Sequence, residues 1–138
     1  MKRVTGIGGI FFKCKDPVEV KNWYQKHLGI ESQDWGAMFE WRRKDEPEKI
    51  GTTAWNPFKQ DTDYFAPSEK NYMFNYRVEN LDELLLLLKA EGVEIIGKKD
   101  ELEYGKFAWI MDPEGNKVEL WEPVDQVLID YEATEKAD

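Results

Sequence analysis

The chain has 138 residues, 41 % of them hydrophobic and 14 % aromatic, enough apolar material for one domain with a buried core. Its 28 acidic side chains outnumber 19 Lys and Arg for a formal net charge of -9, which opposes binding to phosphate backbones and anionic membranes. The longest apolar run, Leu84 to Leu88, is far too short to cross a bilayer, the start MKRVTGIGGIFFKCKD lacks the apolar core of a signal peptide, and a lone Cys14 excludes an intramolecular disulfide. These features predict a cytoplasmic protein with neither nucleic acid nor membrane as a partner.

In chain order, Gly9 to Asp16 (GIFFKCKD) is rich in aromatic and β-branched residues and predicts a half-buried strand, with Cys14 as a structural thiol. Gly6, Gly8 and Gly9 precede this strand rather than a helix, so they form no nucleotide-binding loop. Asp16 then suits a helix N-cap, Pro17 the first helical position and Glu19 the capping box. Val20, Trp23, Tyr24 and Leu28 recur at helical spacing, and Gly29 offers a left-handed stop. His27, the chain's only histidine, falls in the last turn, where it faces the helix dipole at the surface. Three extended segments follow: a weak one around Glu31, then Gly36 to Arg42, then Ile50 to Asn56 beyond the charged turn KDEPE.

Residues 58–71 carry no consistent period and read as a connection, with Tyr64 and Phe65 packing on something. After them the same grammar returns. Met73 to Asn80 (MFNYRVEN) repeats the strand, Asn80 and Glu83 repeat the cap, Leu81, Leu84, Leu85 and Leu88 form the apolar stripe, and Gly92 ends the helix. Val93 to Ile96, Lys106 to Met111 and Lys117 to Glu122 predict three strands, the last two joined by the turn DPEGN. Apolar Val127, Leu128, Ile129 and Tyr131 predict a tail that docks in part and then frays. The chain thus reads as one α+β domain of two tandem βαβββ half-modules: 5–57, a connection 58–71, a second half-module 72–123, and a tail 124–138.

The strand followed by WYQKHLGI, the segment VENLDELLLLLKAEGVEI and above all the ending DPEGNKVELWEP resemble the vicinal-oxygen-chelate superfamily, which includes glyoxalase I, bleomycin-resistance proteins, fosfomycin-resistance enzymes and extradiol dioxygenases. The resemblance covers about residues 5–123. It implies eight strands in curved mixed sheets around a shared cleft, helices outside, and a homodimer. In metal-using members each half supplies one ligand from its first strand and one from its last. The repeat register, which pairs Thr53–Pro57 with Glu119–Pro123, places Gly9, Thr53, Met73 and Glu119 there, and of these Glu119 alone can bind a metal. One histidine cannot build a His-rich centre, and no loop has the acid spacing of a Mg or Ca site, so neither metal nor other cofactor is expected.

Strand alternation in that register turns Phe11, Lys13, Trp55, Asn75, Arg77 and Trp121 into the cleft beside Glu119. Met38, Glu40, Phe107, Trp109 and Met111 follow from the remaining strands, while Ile10, Phe12, Cys14, Phe74, Tyr76 and Leu120 face the helices. Phe11, Trp55, Asn75, Arg77, Trp109 and Trp121 are therefore the candidate contacts to a small organic ligand. Trp55 and Trp121 are either paired walls for a flat ligand or repeated packing devices. Glu119 is the candidate catalytic base, with Arg77 or Lys13 stabilising negative charge, or else the partner of Arg77 in a salt bridge. Two functional readings stand: a metal-independent small-molecule-binding protein of the glyoxalase/bleomycin-resistance type, and a glyoxalase-like lyase, isomerase or dioxygenase-type enzyme using Glu119 with an atypical or no metal site. A third reading is a scaffold whose cleft is filled by its own aromatics.

Overall fold

Both helix starts form as their caps predict in the computed structural model, which describes residues 2–137. Glu19 N–H donates to Asp16 Oδ1 and Glu83 N–H to Asn80 Oδ1, each at 3.1 Å, so one otherwise unpaired amide of each first turn is satisfied. The elements run β1 (Val4–Cys14), α1 (Pro17–Leu28), β2 (Ala37–Arg42), β3 (Ile50–Lys59), β4 (Tyr72–Val78), α2 (Leu81–Ala90), β5 (Ile95–Leu102), β6 (Gly105–Met111), β7 (Lys117–Pro123) and α3 (Asp125–Ala137). Left-handed glycines close the first two helices, Gly29 at φ 70° and Gly92 at φ 82°.

The strands form one continuous seven-stranded mixed sheet in the order β2-β3-β1-β4-β7-β6-β5. At its centre β1 and β4 pair antiparallel, and each is flanked by a parallel partner from its own half, β3 beside β1 and β7 beside β4. This is the α+β duplication expected, with two differences. The segment around Glu31 makes no strand, leaving only the isolated bridge Gln33–Gly36, so the sheet has seven strands instead of eight. Gly36, at φ 137°, packs so closely that a Cβ there would lie 2.2 Å from the Trp55 carbonyl oxygen, and the chain turns there instead of extending. The two halves also share one sheet instead of forming separate ones.

The helices cover the outer face unequally. Leu81 and Leu84 of α2 pack against Val78, Ala108, Val118 and Leu120, and burying each such side chain contributes roughly 1.5–3 kcal/mol. No residue of α1 is fully buried, and Trp23 stays 52 % exposed. Its main hold is Tyr24, edge-on to Trp55 at 4.9 Å. Between the helices the cross-strand neighbours Ile10 and Phe74 remain 43 % and 41 % exposed, although they face outward as their alternation predicts.

On the inner face, the connection after β3 folds back over the sheet, placing Phe65 against Phe11 and Met73. The tail is helical to Ala137 instead of frayed, with Asp138 outside the described residues. Among the described residues, no helix is long and apolar enough to cross a membrane.

Candidate functional site

The sheet's inner face, the connection and α3 enclose a cleft of about 490 Å³. Its first-half wall carries Phe11, Thr52, Ala54, Asn56 and Phe58, and its second-half wall Asn75, Phe107, Trp109, Glu119 and Trp121. Tyr64 closes it from the connection, and Val127, Leu128 and Tyr131 from α3. Two stacked ring pairs line opposite sides: Phe58 with Tyr64 at 5.5 Å and Phe107 with Trp121 at 5.8 Å. The cavity volume lies in the range of small-molecule sites, and most of its wall is apolar.

Glu119 is 1 % exposed, and both its carboxylate oxygens are hydrogen-bonded. Its Oε1 accepts from the Tyr64 hydroxyl and from Trp109 Nε1 at 2.9 Å, while Oε2 accepts from Asn75 Nδ2 at 2.5 Å. Burial pushes the Glu119 carboxyl above its ordinary range, opposed by these donors and then by the charge of Lys117. Burial, followed by the Glu119 charge and hydrogen bond, drives the Tyr64 phenol upward, so Tyr64 stays protonated as a donor. Burial lowers the Lys117 ammonium, which donates to the Tyr64 carbonyl at 2.9 Å from beneath the Tyr64 and Trp109 rings. Asn75 is held in place from behind by Gly8, where a Cβ would come 2.1 Å from Asn75 Oδ1.

Strand pairing corrects the register of the first half. Side chains directly opposite on neighbouring strands share a face, and Phe11 lies opposite Asn56 while Ile10 lies opposite Trp55. Thus Thr52, Ala54, Asn56 and Phe58 line the cleft, whereas Trp55 faces α1 between Phe12 and Tyr24. The placement of Trp55 as a wall equivalent to Trp121 is therefore wrong by one residue, which in a strand exchanges the faces. Thr53, expected in the cleft, accepts from Trp41 Nε1 and donates to the Ile7 carbonyl instead.

Arg77 points inward, but it does not meet Glu119. It pairs with Asp125 through two 2.6 Å bonds, donates to the Thr52 carbonyl at 3.0 Å, and lies against the Trp121 and Trp41 rings. Asp125 also accepts from the Thr52 amide and hydroxyl, so this buried pair ties the start of α3 to both halves. Lys13 lies over the Phe65 ring, away from Glu119. Of the candidates, Phe11, Asn75, Trp109, Glu119 and Trp121 come together; Trp55 and Arg77 do not line the open space.

These residues do not fit a divalent cation. Three N–H or O–H donors already hold the Glu119 carboxylate, two on Oε1 and one on Oε2, and among the described residues no three His, Cys, Asp or Glu side chains converge around it. The cleft residues not singled out by sequence include Thr52, Ala54, Asn56, Phe58, Asp100, Glu103, Tyr104 and the α3 contacts, while Tyr64 was expected to pack without its role at Glu119. The apolar tail residues were the available signal for α3.

No family model matches the chain, and no curated protein matches it in sequence. Solved structures do. Methylmalonyl-CoA epimerase from Mycobacterium tuberculosis superposes with a TM-score of 0.62 at 17 % identity, covering 94 % of this chain and 95 % of that one. The Streptomyces coelicolor epimerase variant Q60A, in complex with 2-nitronate-propionyl-CoA, gives 0.64 at 15 %, covering 88 % and 99 %. The Mn(II)-bound glyoxalase from Novosphingobium aromaticivorans gives 0.59 at 17 %, covering 88 % of this chain and 40 % of that one. The likeness is one of fold. At these identities it carries no reaction to this chain.

Proposed function

We propose that this chain is a metal-independent small-molecule-binding protein of the glyoxalase/bleomycin-resistance type, acting in the cytoplasm and holding an organic ligand between its aromatic walls. The carrying observation is the cleft of about 490 Å³ between two stacked ring pairs, with its one deeply buried acid already satisfied. A general base takes a proton on a lone pair, and Glu119 already commits three of its roughly four acceptor sites to Tyr64, Asn75 and Trp109. Each hydrogen bond to the charged form contributes roughly 1.5–3 kcal/mol and so weakens the carboxylate as a base, which favours binding over catalysis by Glu119. The open cavity volume supports the binding reading over a scaffold filled by its own aromatics.

A thermal-shift screen of small organic molecules tests this reading, since a ligand that binds only the folded state raises Tm. Hits should lose most of their shift in Trp121→Ala, which removes one stacked wall. An unchanged shift in that variant would place binding outside the cleft. Assembly as a homodimer belongs to the same proposal, a second copy covering the apolar strip around Ile10 and Phe74. Sedimentation as a monomer at micromolar concentration would remove that part.

A further inference from the structure

The chemistry of the cleft wall goes further than shape. Among the described residues its charged side chains are Asp100, Glu103, Glu119 and Glu132, all carboxylates, with no Lys, Arg or His in the lining. The nearby cations are committed elsewhere, Arg77 to Asp125 and Lys117 to the Tyr64 carbonyl. Glu119 is buried and satisfied, whereas Asp100 and Glu103 are exposed and make no ion pair among the described residues. Two buried side-chain oxygens of lining residues, Asn56 Oδ1 and Asn75 Oδ1, have no hydrogen-bond partner among the described residues. Their amide orientations are fixed, because each Nδ2 donates: Asn56 to the Trp35 carbonyl and Asn75 to Glu119. The cleft therefore offers negative charge and aromatic faces, and among the described residues it lacks a positive group.

We infer, building on the binding function proposed above, that the ligand is an organic ammonium: a protonated amine on an apolar or aromatic body. The body lies between the Phe58–Tyr64 and Phe107–Trp121 pairs, and the ammonium lies at the rim beside Asp100 and Glu103, near the Tyr104 ring. An anionic ligand would find no counter-charge among the described residues of this wall. That separates the cleft from a site for acyl-CoA, the ligand class named for the Streptomyces epimerase, whose phosphates need cations.

The test uses three probes with one ring system: 2-(2-naphthyl)ethylammonium, 2-(2-naphthyl)ethanol and 2-naphthylacetate, titrated calorimetrically into the full chain at pH 7. The ammonium should bind at least tenfold tighter than the alcohol, and the acetate weakest. The ammonium's advantage should shrink as salt rises, and several-fold in the double variant D100N/E103Q, whose exposed positions spare the fold. Equal affinities, or the acetate binding best, would overturn the ammonium assignment while leaving a ligand-binding cleft intact. If all three probes bind and the ammonium wins equally in D100N/E103Q, the rim assignment fails. Should no probe bind, and Trp121→Ala alter no hit of the thermal-shift screen, the binding function falls with it.

Discussion

Two carboxylates, Glu119 and Asp125, are withdrawn from solvent on the same inner face, and they are compensated in opposite ways. Asp125 meets a full positive charge, in a two-bond pair with Arg77 that also engages Thr52. Glu119 takes its hydrogen bonds from neutral donors, Tyr64, Asn75 and Trp109, with the Lys117 charge acting on it without a direct bond. The first arrangement fixes a charge permanently and pins α3 over the cleft. The second leaves the proton on Glu119 dependent on its surroundings, because burial raises the carboxyl while the donors restrain it. A clamp and a tunable polar floor are thus built from one side-chain type.

The largest effect should come from breaking the clamp. Asp125→Ala leaves the Arg77 guanidinium buried with Thr52 as its remaining partner, and should destabilise the protein by about 3–5 kcal/mol in chemical denaturation. A loss below about 1 kcal/mol would show that the pair is solvated. Gly8→Ala comes next, because its Cβ displaces Asn75 from Glu119; a loss of about 1–3 kcal/mol is expected, and a wild-type denaturation curve would contradict the packing.

Tyr64→Phe removes one donor while keeping the ring on Phe58, costing about 1–2 kcal/mol and raising the Glu119 carboxyl further. The smallest effect is expected for Glu119→Gln near neutral pH, and its value lies in the pH profile. A carboxyl raised in the folded state adds stability that is complete below its ordinary pKa of 4.5 and lost as pH rises through the folded value. The stability of wild type relative to Glu119→Gln should therefore fall as pH climbs above 4.5. A difference that grew with pH would mean the three donors outweigh burial.

The same contrast marks what the sequence reveals. Caps at Asp16 and Asn80, the leucine stripe of α2 and the DPEGN turn are local signals, and their elements form as expected. Glu119 and Asn75 follow from alternation in strands whose phase the repeat sets, and both line the cleft. The phase of β3 does not, because matching TAWNP to ELWEP by their shared Trp and Pro overlooks the strand partner: Phe11 opposite Asn56 fixes the face. The Arg77–Asp125 pair joins residues far apart in sequence through a helix that no capping signal announces, so pattern alone turned Arg77 toward Glu119. Tyr64 reaches Glu119 from an irregular connection, where no period predicts direction.

Binding without a metal is the claim on which the rest depends, and calorimetry of chelator-treated protein with 2-(2-naphthyl)ethylammonium tests it most directly. The account predicts stoichiometric binding with the same affinity before and after addition of Mn or Zn. Binding that emerged only with the divalent ion, and vanished in Glu119→Gln, would contradict it.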